Sequence, residues 1–65
     1  MNAYSVLNAV DEVVDEHESD DYTARKQAIK AALALSKETG LVFRVRNDHT
    51  QFIWLISGGT VQSLG

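Results

Sequence analysis

The spacing of apolar residues changes at Gly40, and this change constrains the fold more than any other feature of the sequence. Before Gly40, apolar residues recur every three or four positions, which is typical of amphipathic helices. After it they alternate with polar residues in short runs bounded by turn-forming residues, which is typical of strands. A chain of 65 residues has room for one core. The sequence therefore predicts a single α+β domain over residues 1–65.

The first predicted helix covers residues 3–17. At 100° per residue its apolar side chains fall within an arc of about 120°, and its acidic residues lie outside that arc. Asn2 is suited to the N-cap, because its side-chain oxygen can accept a hydrogen bond from a free amide of the first turn. The apolar positions are Ala3, Val6, Leu7, Val10, Val13, Val14 and His17.

The second predicted helix begins after a cap at Ser19 or Asp20 and ends at Thr39, with Gly40 as the left-handed residue that follows. Small and apolar residues occupy roughly 200° of its circumference. A helix of this kind contacts two neighbours, and we expect these to be the first helix and a sheet.

Three short strands are predicted after Gly40, over residues 41–46, 51–57 and 60–64. A polar loop at 47–50 joins the first two, and Gly58-Gly59 joins the last two. The predicted fold is therefore an αα hairpin followed by a three-stranded antiparallel β-meander (ααβββ), with both helices on one face of the sheet.

The register of the two predicted hairpins determines which strand residues lie on the sheet face that the helices cover. Closing the first hairpin at Arg46 and Gln51 and the second at Ser57 and Thr60 makes that face almost wholly apolar. The predicted pairs are Val45 with Phe52, Phe43 with Trp54, Leu41 with Ile56, and Ile56 with Val61.

The opposite sheet face is mixed, and the predicted fold has no element left to cover it. Apolar residues on an uncovered face are typical of a contact surface, although a scatter of exposed aliphatic residues is also normal. The sequence predicts a dimer or partner interface on this face, formed by Val42, Arg44, Arg46, Ile53, Leu55 and Leu64.

Seven of the nine acidic residues lie between Asp11 and Asp21, and all six Lys and Arg residues follow them. In the predicted first helix most of these acids occupy the C-terminal half, where the helix dipole disfavours carboxylates. They form either a solvated face, partly neutralised by basic residues of the second helix, or a docking surface for a basic partner. The predicted docking surface comprises Asp11, Glu12, Asp15, Glu16 and Glu18.

The composition and motifs of the chain exclude or disfavour several kinds of site. Cysteine is absent, which excludes disulfides and thiolate metal sites, and the net charge of −3 disfavours nucleic-acid binding. The sequence contains no activated-serine motif and no phosphate loop, so we predict no enzyme activity, catalytic residue, metal or cofactor. His17 is interpreted as a boundary residue of the core and His49 as a solvated one.

The termini carry no signal peptide, and no apolar run is long enough to cross a membrane. We therefore expect no membrane partner and a cytoplasmic location. Because the chain begins with Met1 and ends at Gly65, we also expect a stand-alone product.

Together these features predict a small non-enzymatic interaction protein, homodimeric through the uncovered sheet face. It would bind and modulate or inhibit another protein, as a microbial or phage accessory factor does. Two alternatives remain open. One is an acidic docking protein or nucleic-acid mimic that uses the carboxylates; the other sequesters a small anionic ligand at a dimer seam lined by Arg44 and Arg46.

Overall fold

The structure is a computed structural model that describes residues 2–64, so Met1 and Gly65 lie outside the described residues. The described chain forms a β-rich α+β fold in which one helix packs on one antiparallel sheet of strand order β2-β1-β3-β4-β5. The elements are β1 (Asn2–Leu7), β2 (Val13–Ser19), α1 (Thr23–Thr39), β3 (Phe43–Asn47), β4 (Ile53–Ser57) and β5 (Thr60–Ser63).

The predicted fold class is wrong, because the segment predicted as the first helix forms the β1–β2 hairpin. The turn of this hairpin contains neither Gly nor Pro. Asn8 organises it instead: the Asn8 side-chain oxygen accepts hydrogen bonds from the backbone amides of Val10 (3.1 Å) and Glu12 (2.9 Å), and Asp11 adopts a φ of 64°. Asn and Asp tolerate such turn conformations better than other non-glycine residues. Asn2, the predicted N-cap, is the first residue of β1.

α1 corresponds to the second predicted helix, and its predicted C-terminal end is confirmed. Gly40 adopts a left-handed φ of 71° and donates its backbone amide to Ser36 O at 2.9 Å. At the other end the N-cap position is Tyr22 and not Ser19 or Asp20. Ser19 still satisfies a first-turn amide, since its hydroxyl oxygen accepts a hydrogen bond from Ala24 N at 2.9 Å.

The core lies between α1 and one face of the sheet. Small residues of α1 recur every four positions on the buried side of the helix, which lets the helix backbone approach the sheet closely. On the helix these residues are Ala24, Ala28, Ala32 and Ser36. The buried sheet residues that pack with the alanines are Tyr4, Val6, Phe43, Val45 and Ile56, and Trp54 packs partly buried against them.

The predicted three-stranded sheet is wrong, because β3, β4 and β5 are consecutive antiparallel strands of a five-stranded sheet, and the register of the β3–β4 hairpin also differs from the predicted one. Val45 pairs with Trp54 and Phe43 with Ile56, two residues out of the predicted register, because Asn47 N bonds to Phe52 O and closes the loop further along. A slip of two residues leaves every side chain on its predicted face.

The second hairpin has its predicted register, with Ser57 opposite Thr60 and Ile56 opposite Val61. Gly58 and Gly59 form the turn with φ values of 56° and 100°, which residues with a Cβ rarely adopt.

A membrane-spanning helix is not found among the described residues, because α1 is not long and apolar enough to cross a bilayer.

Candidate interaction surface

The sheet face opposite α1 has no helix or second sheet packed on it within residues 2–64; we call it the open face. The strand register determines which side chains it presents, since residues paired across antiparallel strands share a face. The open face consists of Val13, Glu16 and Glu18 (β2), Ala3, Ser5 and Leu7 (β1), Arg44 and Arg46 (β3), Ile53, Leu55 and Ser57 (β4), and Thr60, Gln62 and Leu64 (β5 and the residue after it).

Five of the six residues predicted for the interface lie on the open face: Arg44, Arg46, Ile53, Leu55 and Leu64. Leu64 lies opposite Ile53 and donates its backbone amide to the Ile53 carbonyl at 2.9 Å. Whether these residues form an interface stays a prediction.

Val42, the sixth, precedes β3 and is 42% exposed. The predicted register would place Val42 opposite Leu55, but Leu55 pairs with Arg44.

The two arginines of the open face are already engaged by carboxylates of the same chain. Arg44 donates to the Asp11 carboxylate and, at 3.4 Å, to the Asn8 carbonyl. Arg46 Nε donates to Asp48 Oδ1 at 3.0 Å. The arginines therefore contribute hydrogen-bond donors to the face while their charges are balanced locally.

The buried hydroxyl of Ser5 holds the carboxylate that binds Arg46. Ser5 is 2% exposed, and its Oγ lies 3.0 and 2.8 Å from the two carboxylate oxygens of Asp48. Asp48 thus accepts hydrogen bonds from both Ser5 and Arg46. Because Ser5 and Arg46 are direct cross-strand partners, the carboxylate holds the Arg46 guanidinium over the sheet.

Charge changes systematically across the open face. The edge strand β2 contributes two carboxylates, and the central strand β3 contributes two carboxylate-paired arginines. β4 and β5 contribute only uncharged side chains. The face is therefore acidic along one edge and uncharged along the other.

The predicted acidic docking surface does not form one continuous face. Asp11 and Glu12 lie in the β1–β2 turn, Glu16 points to the open face, and Asp15 points to the side of α1, where its Oδ2 lies 2.8 Å from His17 Nε2. Carboxylates on both faces of an exposed edge strand are a common protection against edge-to-edge pairing.

The basic residues of α1 do not neutralise these acids as predicted. Within residues 2–64 the ion pairs join Asp11 to Arg44 and Asp48 to Arg46, and Asp15 is hydrogen-bonded to His17. Arg25 instead lies over the Tyr22 ring, with its guanidinium carbon 5.4 Å from the ring centroid.

One group of side chains on β2 has the residue types of a hydrolytic triad. Asp15, His17 and Ser19 point to the same side of the strand, but the Ser19 hydroxyl donates to Asp21 O (2.8 Å) and accepts from Ala24 N (2.9 Å). Its hydrogen-bonding capacity is used in attaching β2 to α1, so Ser19 is not available as a nucleophile.

No pocket is found in the described part of the chain, and its His, Asp and Glu side chains include no group of three that could hold a metal ion. His49 is exposed in the β3–β4 loop. Residues 2–64 thus offer surfaces for contact and no enclosed site.

Three valines in and after the β1–β2 turn are exposed, contrary to the prediction. Val10, Val13 and Val14 are 71%, 46% and 47% exposed, although the helical pattern placed them in the core. The signal that could have found them is their β-branching, which favours strands over helices.

No protein-family model, curated protein or solved structure matches the chain. The open face is therefore interpreted from its own residues.

Proposed function

We propose that this chain is a small non-enzymatic interaction protein whose contact surface is the open face, and that it binds and modulates or inhibits another protein. The observation that carries the proposal is the aliphatic group Ile53, Leu55 and Leu64, which lies on an uncovered sheet face beside two arginines. Arginine is enriched among the energetically important residues of protein interfaces, and the buried centre of an interface is more apolar than its rim. The size of the chain adds support, since a domain this small gains stability when a partner covers its exposed apolar surface.

A cytoplasmic location is part of the proposal, because a chain without cysteine does not depend on an oxidising compartment. We further propose that the chain is a microbial or phage accessory factor.

The two alternative functions have less support from the contacts. Docking through the carboxylates needs them free and on one side. Asp11 and Asp15 are instead engaged by Arg44 and His17, and Glu12 by the Asn8 side chain at 3.3 Å. Sequestering a small anion needs free arginines, and an anion at Arg44 or Arg46 would compete with a carboxylate already bound there.

The test replaces Leu55 by Glu in an immobilised protein and compares the proteins that wild type and variant retain from a lysate of the organism that encodes the chain. The matched control is Val61→Glu, which introduces the same charge on the opposite face of the same β-hairpin. We expect wild type and the Val61 variant to retain the same partner and Leu55→Glu to lose it, with thermal unfolding showing that all three are folded.

Equal retention by the Leu55 and wild-type proteins would contradict the proposal. Retention that disappears only when Glu16 and Glu18 are neutralised would favour acidic docking instead.

A further inference from the structure

We infer that the occupant of the open face is a second copy of this chain, packed through the β4–β5 half of the face about a two-fold axis parallel to β4. The inference rests on the proposed function, because it uses the same face. It adds the identity of the partner, the half of the face that is buried and the direction of the symmetry axis.

The apolar surface still available for contact lies in the β4–β5 half. On β1, Leu7 is only 3% exposed and Ser5 only 2%, so these side chains are already covered within the chain. Ile53 and Leu55 on β4 remain partly exposed, and Leu64 is 53% exposed. A partner therefore gains most by covering β4 and β5.

The acidic edge determines the direction of the axis. β2 lies three strands from β4, which is about 14 Å at a strand spacing of about 4.8 Å. A two-fold axis parallel to β4 places the two β2 strands at opposite outer edges, about 29 Å apart. An axis perpendicular to the strands stacks them face to face with their backbones about 10 Å apart. The Glu16 and Glu18 carboxylates of both copies then project into the same gap, where they come closer together than the screening length of about 8 Å in physiological salt.

The parallel axis also matches polar groups across the contact. It places β3 of one copy over β5 of the other, so that Arg44 lies opposite Gln62 of the second copy. The Gln62 side-chain carbonyl is an acceptor for guanidinium N–H groups that the Asp11 carboxylate does not occupy. On the axis itself, Leu55 and Ile53 each pack against the same residue of the second copy, as a two-fold contact requires.

This self-complementarity is why we name a second copy and not an unlike protein. A chain with a net charge of −3 packs on itself most readily if its unneutralised carboxylates stay apart. The open face has Glu16 and Glu18 along the edge farthest from Ile53, Leu55 and Leu64, whereas the carboxylates of Asp11 and Asp48 are paired with its arginines. The contact patch is small, so we expect a weak, concentration-dependent dimer.

The absence of cysteine permits a direct test with single-cysteine variants. Leu55→Cys and Ile53→Cys place a thiol on the proposed axis, and Glu16→Cys places one on the acidic edge of the same face. Facing sheets are about 10 Å apart, too far for a direct disulfide, so the probe is a short bismaleimide. Each variant is treated at high micromolar concentration, after its thermal unfolding has been compared with wild type.

We expect at least several-fold more crosslinked dimer from the Leu55 variant than from the Glu16 variant, and sedimentation of wild type as a reversible dimer. If the Leu55 variant unfolds, the Ile53 variant gives the same test. Equal crosslinking of the β4 and Glu16 variants would overturn the parallel axis. A wild-type chain that stays monomeric would overturn the second copy as occupant, while the proposed function would survive if a different protein were lost with Leu55→Glu.

Discussion

Ser5 connects the buried interior of the sheet to the polar part of the open face. Its hydroxyl is almost fully buried, yet it bonds to Asp48, whose side chain is 31% exposed and which also accepts a hydrogen bond from Arg46. Hydrogen bonds to charged groups contribute more to stability than hydrogen bonds between neutral groups. Removing one partner of such a bond leaves the other to be solvated by water. A single hydroxyl thus positions the guanidinium that borders the proposed contact.

Replacing Ser5 by Ala should lower the free energy of unfolding by about 1–2 kcal/mol, because Asp48 loses a donor that water replaces only in part. The measurement is urea denaturation followed by Trp54 fluorescence. Ser63→Ala in the exposed strand β5 is the control and should change stability little. A Ser5 variant as stable as that control would show that the network contributes nothing.

The lowered pKa of Asp21 predicts how the stability of the fold depends on pH. Hydrogen bonding from Thr23, through the side chain first and then the backbone amide, lowers the pKa of Asp21 below its ordinary value of 3.8. A carboxylate with a lowered folded-state pKa stabilises the fold above its unfolded-state pKa, and this contribution disappears as pH falls through the folded-state pKa. Asp21→Asn should therefore melt below wild type at pH 7, and the difference should shrink below pH 3.8. A difference in melting temperature that is constant from pH 7 to pH 2 would contradict the assignment.

At the scale of the elements, the close packing of α1 on the sheet depends on small side chains at regular positions. Ala24, Ala28, Ala32 and Ser36 are all within 1% of complete burial and recur every four residues. At its C-terminal end, Ser36 Oγ donates to Leu41 O and accepts from Gly58 N, both at 2.8 Å. The helix is thereby attached at close range to the turn between β4 and β5.

Ala28→Leu should destabilise the fold by about 1–3 kcal/mol, because the larger side chain forces the helix away from the sheet. The matched control is Ala34→Leu, the same change at an exposed position of the same helix, which should be nearly neutral. Thermal unfolding of both variants tests the prediction. Equal melting temperatures would show that the helix–sheet contact tolerates expansion.

For the whole molecule, the consequence of the sheet order is the separation of charge. β2 carries its acids at one edge of the sheet, whereas β5, at the other edge, has no charged residue. The two edges therefore behave differently toward a second copy, since paired β2 edges would repel and the β4–β5 half does not. The proposed dimer follows from this distribution and not from the total charge.

The placement of the acids was itself evidence against the predicted first helix. Carboxylates in the C-terminal half of a helix oppose its dipole, and four valines lower helix propensity. On an edge strand neither objection holds: valine favours the pleated conformation, and carboxylates protect the edge. The same sequence nevertheless satisfies the helical spacing of apolar residues. Val6 and Leu7 precede the turn, Val13 and Val14 follow it, and the turn contains no glycine or proline that would mark a break between two strands.

From α1 onward the sequence by itself determined the helix, the three strands and the sheet face of each strand residue, but not the N-cap of α1 or the register of the β3–β4 hairpin. Local signals mark the ends of these elements, since Gly40, Gly58 and Gly59 adopt left-handed backbone conformations that few other residues allow, and alternation assigns each strand residue to a face. The tertiary structure alone decided residues 2–19. β1 is a strand because Tyr4 pairs with Asn47, far along the chain, and β3 offers it a ladder of hydrogen bonds and a shared core. No local pattern contains that long-range pairing, and it is the pairing that brings the acidic edge and the arginines onto one face.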